Sequence, residues 1–248
     1  MTWMKQMPSE PSVRIQVLTR PGWQPSEEIS EKRIHPYLEN KHMLHIVEHP
    51  LIEHKLTLIR RKDTGTKDFR ENLNEIAGLM AYEITRDVPV RKVQIETPME
   101  RCAAYELSRS IVLVPILRAG LGMADGIRNL IPTVKVGHVG MYRNHKTLEP
   151  ENYYAKFPVN LKDAVVLILD PMLATGGSAS SAIDILKKEE ASIIKLVCVV
   201  GAPEGVRRIE KDHPDVEIYL ASLDRGLNEK GYIVPGLGDA GDRIFGTK

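Results

Sequence analysis

The chain has 248 residues, 42% hydrophobic and 27% charged, which is enough to bury one good-sized core. Its 34 basic and 33 acidic side chains leave a formal charge of +1, so no overall field favours nucleic acid or an anionic membrane, and any anion site must be local. No apolar run approaches the roughly 20 residues that span a bilayer, and Cys102 and Cys198 lack metal-ligand spacing, reading as reduced thiols of a cytoplasmic protein.

Residues 1–42 differ in character from the remainder of the chain. They carry Pro8, Pro11, Pro21, Pro25 and Pro36, both tryptophans and scattered charge, with no apolar stretch of the kind a secretory leader needs. Glu10, Glu27, Glu28, Glu31 and Glu39 argue against a transit peptide, which is normally poor in acids. The expectation is a poorly ordered extension over 1–42, with Met43 as an alternative start, and one domain over 43–248.

In TKDFRENLNEIAGLMAYEI the apolar residues Phe69, Leu73, Ile76, Met80 and Ile84 step by four, three, four and four, which is one face of a helix. Short apolar runs come after it at Ile111 to Leu117, Val134 to Tyr142, Val165 to Leu169, Ile194 to Val200 and Val216 to Ser222. Their β-branched content and length read as strands buried on both faces. Between them SASSAIDILKK places Ala179, Ala182, Ile183 and Leu186 on one helical face, and PEGVRRIEKDHP opens with a proline suited to a first helical turn. Strands alternating with helices predict an α/β fold with an open, mostly parallel sheet flanked by helices.

In such a sheet, ligands bind beyond the carboxyl ends of the strands. VVLILDPMLATGGS puts Asp170 at one of those ends. Gly176 and Gly177 then let backbone approach a ligand closely, a helix starting near Ser178 aims its free N–H groups at the same spot, and Thr175 and Ser178 add hydroxyls. This is a cradle for one phosphate, although a plain strand-to-helix turn fits the glycine pair alone. No lysine follows the glycines as a Walker loop requires, and LRAGLGMADG places Asp125 where a dinucleotide fingerprint needs its third glycine. That second loop begins with Arg118 at another strand tip, where a guanidinium fork beside Gly120 and Gly122 suits a phosphate or diphosphate; a surface arginine at a turn fits equally well.

The run LILDPMLATGGS resembles the phosphoribosyl-diphosphate motif of the type I phosphoribosyltransferases. Together with HPLIEHKLTLIRRKDTGTKDFRENL, PILRAGLGM, VGMYRNHKTLEP and LNEKGYIVPGLGDAGDRIFGTK, it is similar in order to the uracil phosphoribosyltransferase family from about His49 to Lys248. Where many type I members carry two adjacent acids, this chain has Asp170 and then Pro171, a pattern that itself resembles the uracil branch.

The resemblance implies transfer of the phosphoribosyl group of 5-phosphoribosyl 1-diphosphate to uracil, giving UMP and diphosphate, with Mg2+ held mainly through the diphosphate rather than by dedicated protein ligands. It assigns Arg118, Asp170 and Arg143 to catalysis. It assigns the donor to Arg118, Arg143, the run Asp170, Pro171, Met172, Leu173, Ala174, Thr175, Gly176, Gly177 and Ser178, and Asp239. Uracil falls to Ile233, Gly238, Asp239 and Ala240, read mostly by main-chain groups, and Arg143 falls in a flexible hood loop. Members of the family form dimers or higher homo-oligomers and some respond to GTP. A pyrimidine regulator that binds RNA on the same fold would want a basic face, which the net charge does not support. A transferase for orotate would want a cation beside the base, which GYIVPGLGDAG lacks.

Overall fold

The computed structural model describes residues 44–143, 150–158 and 160–247, with backbone alone at 142, 143 and 150–152; the expectation for 1–42 and the core of the hood, 144–149, lie outside these residues. In chain order the elements are β1 (Leu44–Ile46), α1 (Pro50–Arg60), α2 (Thr66–Ile84), β2 (Val90–Glu96), β3 (Arg101–Leu107), β4 (Ser110–Leu117) and α3 (Leu121–Leu130). Then come β5 (Lys135–Val136), β6 (His138–Arg143), β7 (Pro150–Lys156), β8 (Ala164–Leu169), β9 (Met172–Leu173), α4 (Gly177–Lys188) and β10 (Ile193–Gly201). The chain closes with α5 (Pro203–Asp212), β11 (Glu217–Leu223), β12 (Gly226–Leu227), β13 (Ile233–Val234) and α6 (Ala240–Phe245).

The main sheet runs β1-β11-β10-β8-β4-β6-β7, with β5 beside β4 and β9 beside β10. Every pairing in it is parallel except β6 with β7. β8 lies at its centre, and all six of its residues are buried. Val165, Leu167 and Leu169 enter the core under α1, α2, α3 and α6, while Ala164, Val166 and Ile168 enter the opposite core under α4 and α5. A strand with two apolar faces must read as an unbroken apolar run, which is why its periodicity vanished into VVLIL. Truncating Leu167 there to alanine would cost about 2–5 kcal/mol. The helix expected from Thr66 to Ile84 forms with those bounds, and its five stepping residues are fully buried.

One expected strand is different. Val134 to Tyr142 is not a single run buried on both faces but two strands, β5 and β6, separated at Gly137. Gly137 donates its N–H to the Leu113 carbonyl at 2.9 Å, and its backbone runs so close to Phe157 that a Cβ would sit 2.8 Å from the ring. Lys135 is exposed and Val136 half-buried, because the sheet there runs out toward its open edge. The β2–β3 hairpin pairs only with itself, from Val90↔Leu107 to Glu96↔Arg101. No helix among the described residues is long and apolar enough to cross a membrane.

Candidate active site

Three loops meet where β4, β8 and β11 end. The first follows β4: Arg118 comes after Leu117 through a cis peptide bond, and the chain turns through Gly120 into α3. A Cβ at Gly120 would lie 2.2 Å from the Leu169 carbonyl, so this loop touches the tip of β8 backbone to backbone. Only glycine permits that approach. It brings the Arg118 loop directly beside Asp170.

The second loop is Asp170 to Ser178. Asp170 anchors its start: its N–H donates to the Val197 carbonyl at 3.1 Å, and its Oδ1 accepts the Met172 N–H at 3.1 Å. Burial outweighs that hydrogen bond and pushes the carboxyl up to about 6. Behind it, burial and the Asp170 charge raise the Cys198 thiol, so Cys198 is an inert packing residue, as its sequence setting implied. Pro171 and Leu173 are buried and brace the loop from beneath, while Thr175 is exposed at its crest. Gly176 caps α4 with φ +76°, a left-handed conformation that favours glycine, and no side chain caps the helix. The N–H groups of the first turn are thus left for a ligand. Ser180, one turn in, lies 2.9 Å from His213 Nε2 and ties α4 to the end of α5.

The third loop is the C-terminal segment from Asp224 to α6. Ile233 is buried and Ala240 fully so. Gly238 has φ +78°, and Asp239 caps α6 by accepting the Asp242 N–H at 3.0 Å. The segment buries Ile233, Leu237, Ala240 and Ile244, while Tyr232 and Phe245 stay exposed. Phe245 lies under Arg118, whose guanidinium carbon is 5.8 Å from the ring centroid and whose Nη2 is 3.3 Å from Asp242 Oδ1. The Arg118, Asp170 and Gly238–Ala240 loops are therefore brought to one end of the sheet. Arg143 ends β6, and its side chain lies outside the described residues.

Sequence reasoning missed two arginines and an aspartate that hold the third loop. Arg60, the last residue of α1, forms a two-pronged ion pair with buried Asp224. Arg243 donates to the carbonyls of Ile59, Leu237 and Arg61 while its guanidinium lies 4.3 Å from the Phe69 ring centroid. Asp224 had a signal: like Asp170, it stands just past the end of a buried strand. Nothing local marks Arg60, whose partners lie far along the chain, or Arg243, which bonds Leu237 6 residues back but Ile59 and Arg61 at 184 and 182 residues' separation.

Chemically, the arrangement offers a main-chain anion cradle, a carboxylate beside it, a guanidinium across from both, and a glycine-rich loop with exposed peptide groups. That set suits a sugar phosphate activated by a second anionic group. Comparison with known proteins agrees. The family model described as uracil phosphoribosyltransferase matches residues 46–247. Proteins of Bacillus cereus and Bacillus anthracis named uracil phosphoribosyltransferase are each 58% identical over 206 residues, covering 83% of this chain and 99% of theirs. A solved structure of an Aquifex aeolicus protein superposes with a TM-score of 0.78 at 41% identity, covering 82% of this chain and 98% of that one.

Proposed function

The chain belongs to the uracil phosphoribosyltransferase family, and from that premise we propose how its residues join uracil to 5-phosphoribosyl 1-diphosphate. The reaction forms a bond between a ring nitrogen of uracil and C1 of the ribose, breaks the bond from C1 to the diphosphate oxygen, and sheds the nitrogen's proton. UMP and diphosphate are the products. The observation that carries the assignment of roles is the Gly120 contact with Leu169, which sets an arginine loop and a phosphate cradle side by side.

On this reading, the peptide groups from Ala174 to Ser178 hold the 5-phosphate at the α4 N-terminus. Asp170 accepts hydrogen bonds from the ribose hydroxyls, most strongly when ionised. Arg118 faces the diphosphate and, with Arg143 from the hood, neutralises charge that grows as the leaving group departs. Uracil lies against Ile233, Gly238 and Ala240, where peptide N–H and C=O groups match its alternating acceptors and donors. Most of the barrier reduction comes from alignment and preorganised charge rather than covalent chemistry by the protein.

Magnesium fits the carboxylates at hand. Asp170 and Asp239 each give one oxygen to a backbone N–H, and among the described residues the second oxygen of each has no hydrogen-bond partner, so that it is open to a ribose hydroxyl or to the ion. The protein thus offers single oxygens, and the diphosphate would complete the coordination. When bound, the ion neutralises leaving-group charge.

A homo-oligomer is supported by the β2–β3 hairpin. It stands off the core with Val90, Tyr105 and Leu107 exposed on one face, an apolar patch that a second copy of the chain would cover. The test of the activity is a comparison of initial rates with uracil, cytosine, orotate and adenine as acceptors. Uracil should lead by orders of magnitude, and equal or faster turnover of any other base would overturn the assignment.

A further inference from the structure

The loop between β13 and α6 is held in place by side chains from outside it, and the tightest hold falls on one peptide. Asp224 Oδ2 accepts the Gly236 N–H at 2.8 Å. Arg60 Nη1 donates to the Gly236 carbonyl at 2.9 Å while also bonding Asp224 Oδ2 at 2.8 Å. Arg60 Nη2 bonds Asp224 Oδ1 at 2.6 Å and Ser222 Oγ at 3.1 Å, and the Ser222 hydroxyl donates to Asp224 Oδ1 at 3.0 Å. Both polar backbone groups of Gly236 are therefore engaged by a single ion pair whose carboxylate is buried and whose guanidinium is mostly so. Gly236 itself has φ +61°, and a Cβ there would fall 2.1 Å from the Ile233 carbonyl. The backbone at that point has one conformation and one set of partners.

We propose that the Arg60–Asp224 pair positions the base-reading loop and thereby sets selectivity for uracil. This rests on the reading that Ile233, Gly238 and Ala240 take the base. A side-chain reader can be tuned by changing residues, but each non-proline peptide offers one donor and one acceptor whatever its residue. A loop that reads with main chain discriminates by placement alone. Cytosine carries an amino donor where uracil carries a carbonyl acceptor, so a loop free to shift would lose its power to tell them apart. Burying an ion pair is also a poor route to stability alone, since apolar residues of similar volume often do as well. Here both members spend hydrogen bonds on the loop backbone, which is what a positioning role requires.

The test compares Arg60→Lys and Asp224→Asn with the parent enzyme, measuring KM for uracil, KM for the donor, the ratio of uracil to cytosine turnover, and thermal unfolding. Lysine keeps the charge but not the planar fork. The expected result is a rise in KM for uracil of about tenfold or more, a fall in the uracil-to-cytosine ratio, and a donor KM within about twofold of the parent. A folded variant with uracil KM and base ratio unchanged, or with both KM values rising together, overturns the proposal. Should neither variant fold, Ser222→Ala, which removes one hydroxyl from the cluster, is held to the same split on a smaller scale. Gly238→Ala, a methyl placed on left-handed backbone within the loop, separates the two ideas. If it raises uracil KM and Arg60→Lys does not, the base site stands and the positioning role fails. If neither does, the base-site reading fails with it.

Discussion

Arg118 and Asp242, 124 residues apart in sequence, meet at 3.3 Å across the mouth of the site, and the guanidinium lies over Phe245. The pair is solvent-exposed, so its worth to folding is small. Its effect is geometric: the arginine proposed to face the diphosphate is aimed from the last helix of the chain. Replacing Arg118 by alanine should lower kcat/KM for the donor by about 10²–10³-fold in a normally folded protein. Asp242→Asn, which releases the arginine without removing it, should cost less than about tenfold. Steady-state kinetics over donor concentration check both, and near-normal rates for Arg118→Ala would remove it from the mechanism.

Asp170 should make stability and activity respond to pH in opposite directions. Its folded-state value of about 6 exceeds the ordinary carboxylate value, so the native state holds that proton more tightly than the unfolded chain. Unfolding stability from this group is full below about pH 4 and declines as pH rises through 6. Donor binding favours the ionised form, so kcat/KM for the donor should fall as pH drops below about 6. Asp170→Asn should therefore raise the melting temperature at pH 8, show no such gain at pH 4, and lose most turnover. A melting temperature unchanged at pH 8 would contradict the buried-carboxylate account.

The phosphate cradle should be sensitive to a residue that never touches the donor. Gly205, in α5, lies where a Cβ would come 2.5 Å from the Ala174 carbonyl and 2.8 Å from that of Leu173. Gly205→Ala must push on the loop backbone, and should raise KM for the donor about tenfold while sparing KM for uracil. Gly176→Ala should do at least as much, because its φ of +76° disfavours any side chain. Equal changes in both KM values for Gly205→Ala would point to general damage instead.

At the opposite ends of the strands, buried Lys195 bonds the Ile84 carbonyl at 3.0 Å, pairs with Asp87, and lies 3.2 Å from Glu217. It lies six strand steps from Gly201, about 20 Å at strand rise, so it should matter to folding and not to catalysis. Removing one partner of a wholly buried pair costs about 3–5 kcal/mol. Asp87 and Glu217 both keep some access to water, which places Lys195→Met lower, at about 1–3 kcal/mol. Urea denaturation and steady-state kinetics together check this; altered kinetic constants in the folded variant would refute the separation.

The exposed hairpin makes a prediction about assembly. Tyr105→Glu and Leu107→Glu place charge on its apolar face and should shift sedimentation toward the monomer, leaving the melting temperature of the monomer itself little changed. An unaltered sedimentation profile would show that the hairpin is not where copies meet.

Much of the fold was legible in the chain because local rules and global fold agreed. β8 and the helix from Thr66 announced themselves, one by uniform burial and the other by a clean step of three and four. Asp170 and Gly176 were legible because a strand tip followed by glycines is a local pattern with a local cause. The β2–β3 hairpin was not, since VRKVQIE and RCAAYEL bury neither face fully and so carry no clear apolar alternation to read. Arg60 and Asp224 escaped because their meaning lies in each other, 164 residues apart. The break at Gly137 escaped because it answers to Phe157, a contact made only once the sheet has closed.

The backbone contact between Gly120 and Leu169 also turns the site into a caliper. With the two jaws in touch at their roots, on the proposed assignment, the span from diphosphate grip to terminal phosphate grip has no slack to accommodate a longer sugar. A donor analogue lengthened by one methylene between ribose and phosphate should engage one jaw or the other, never both, and so compete poorly against the natural length.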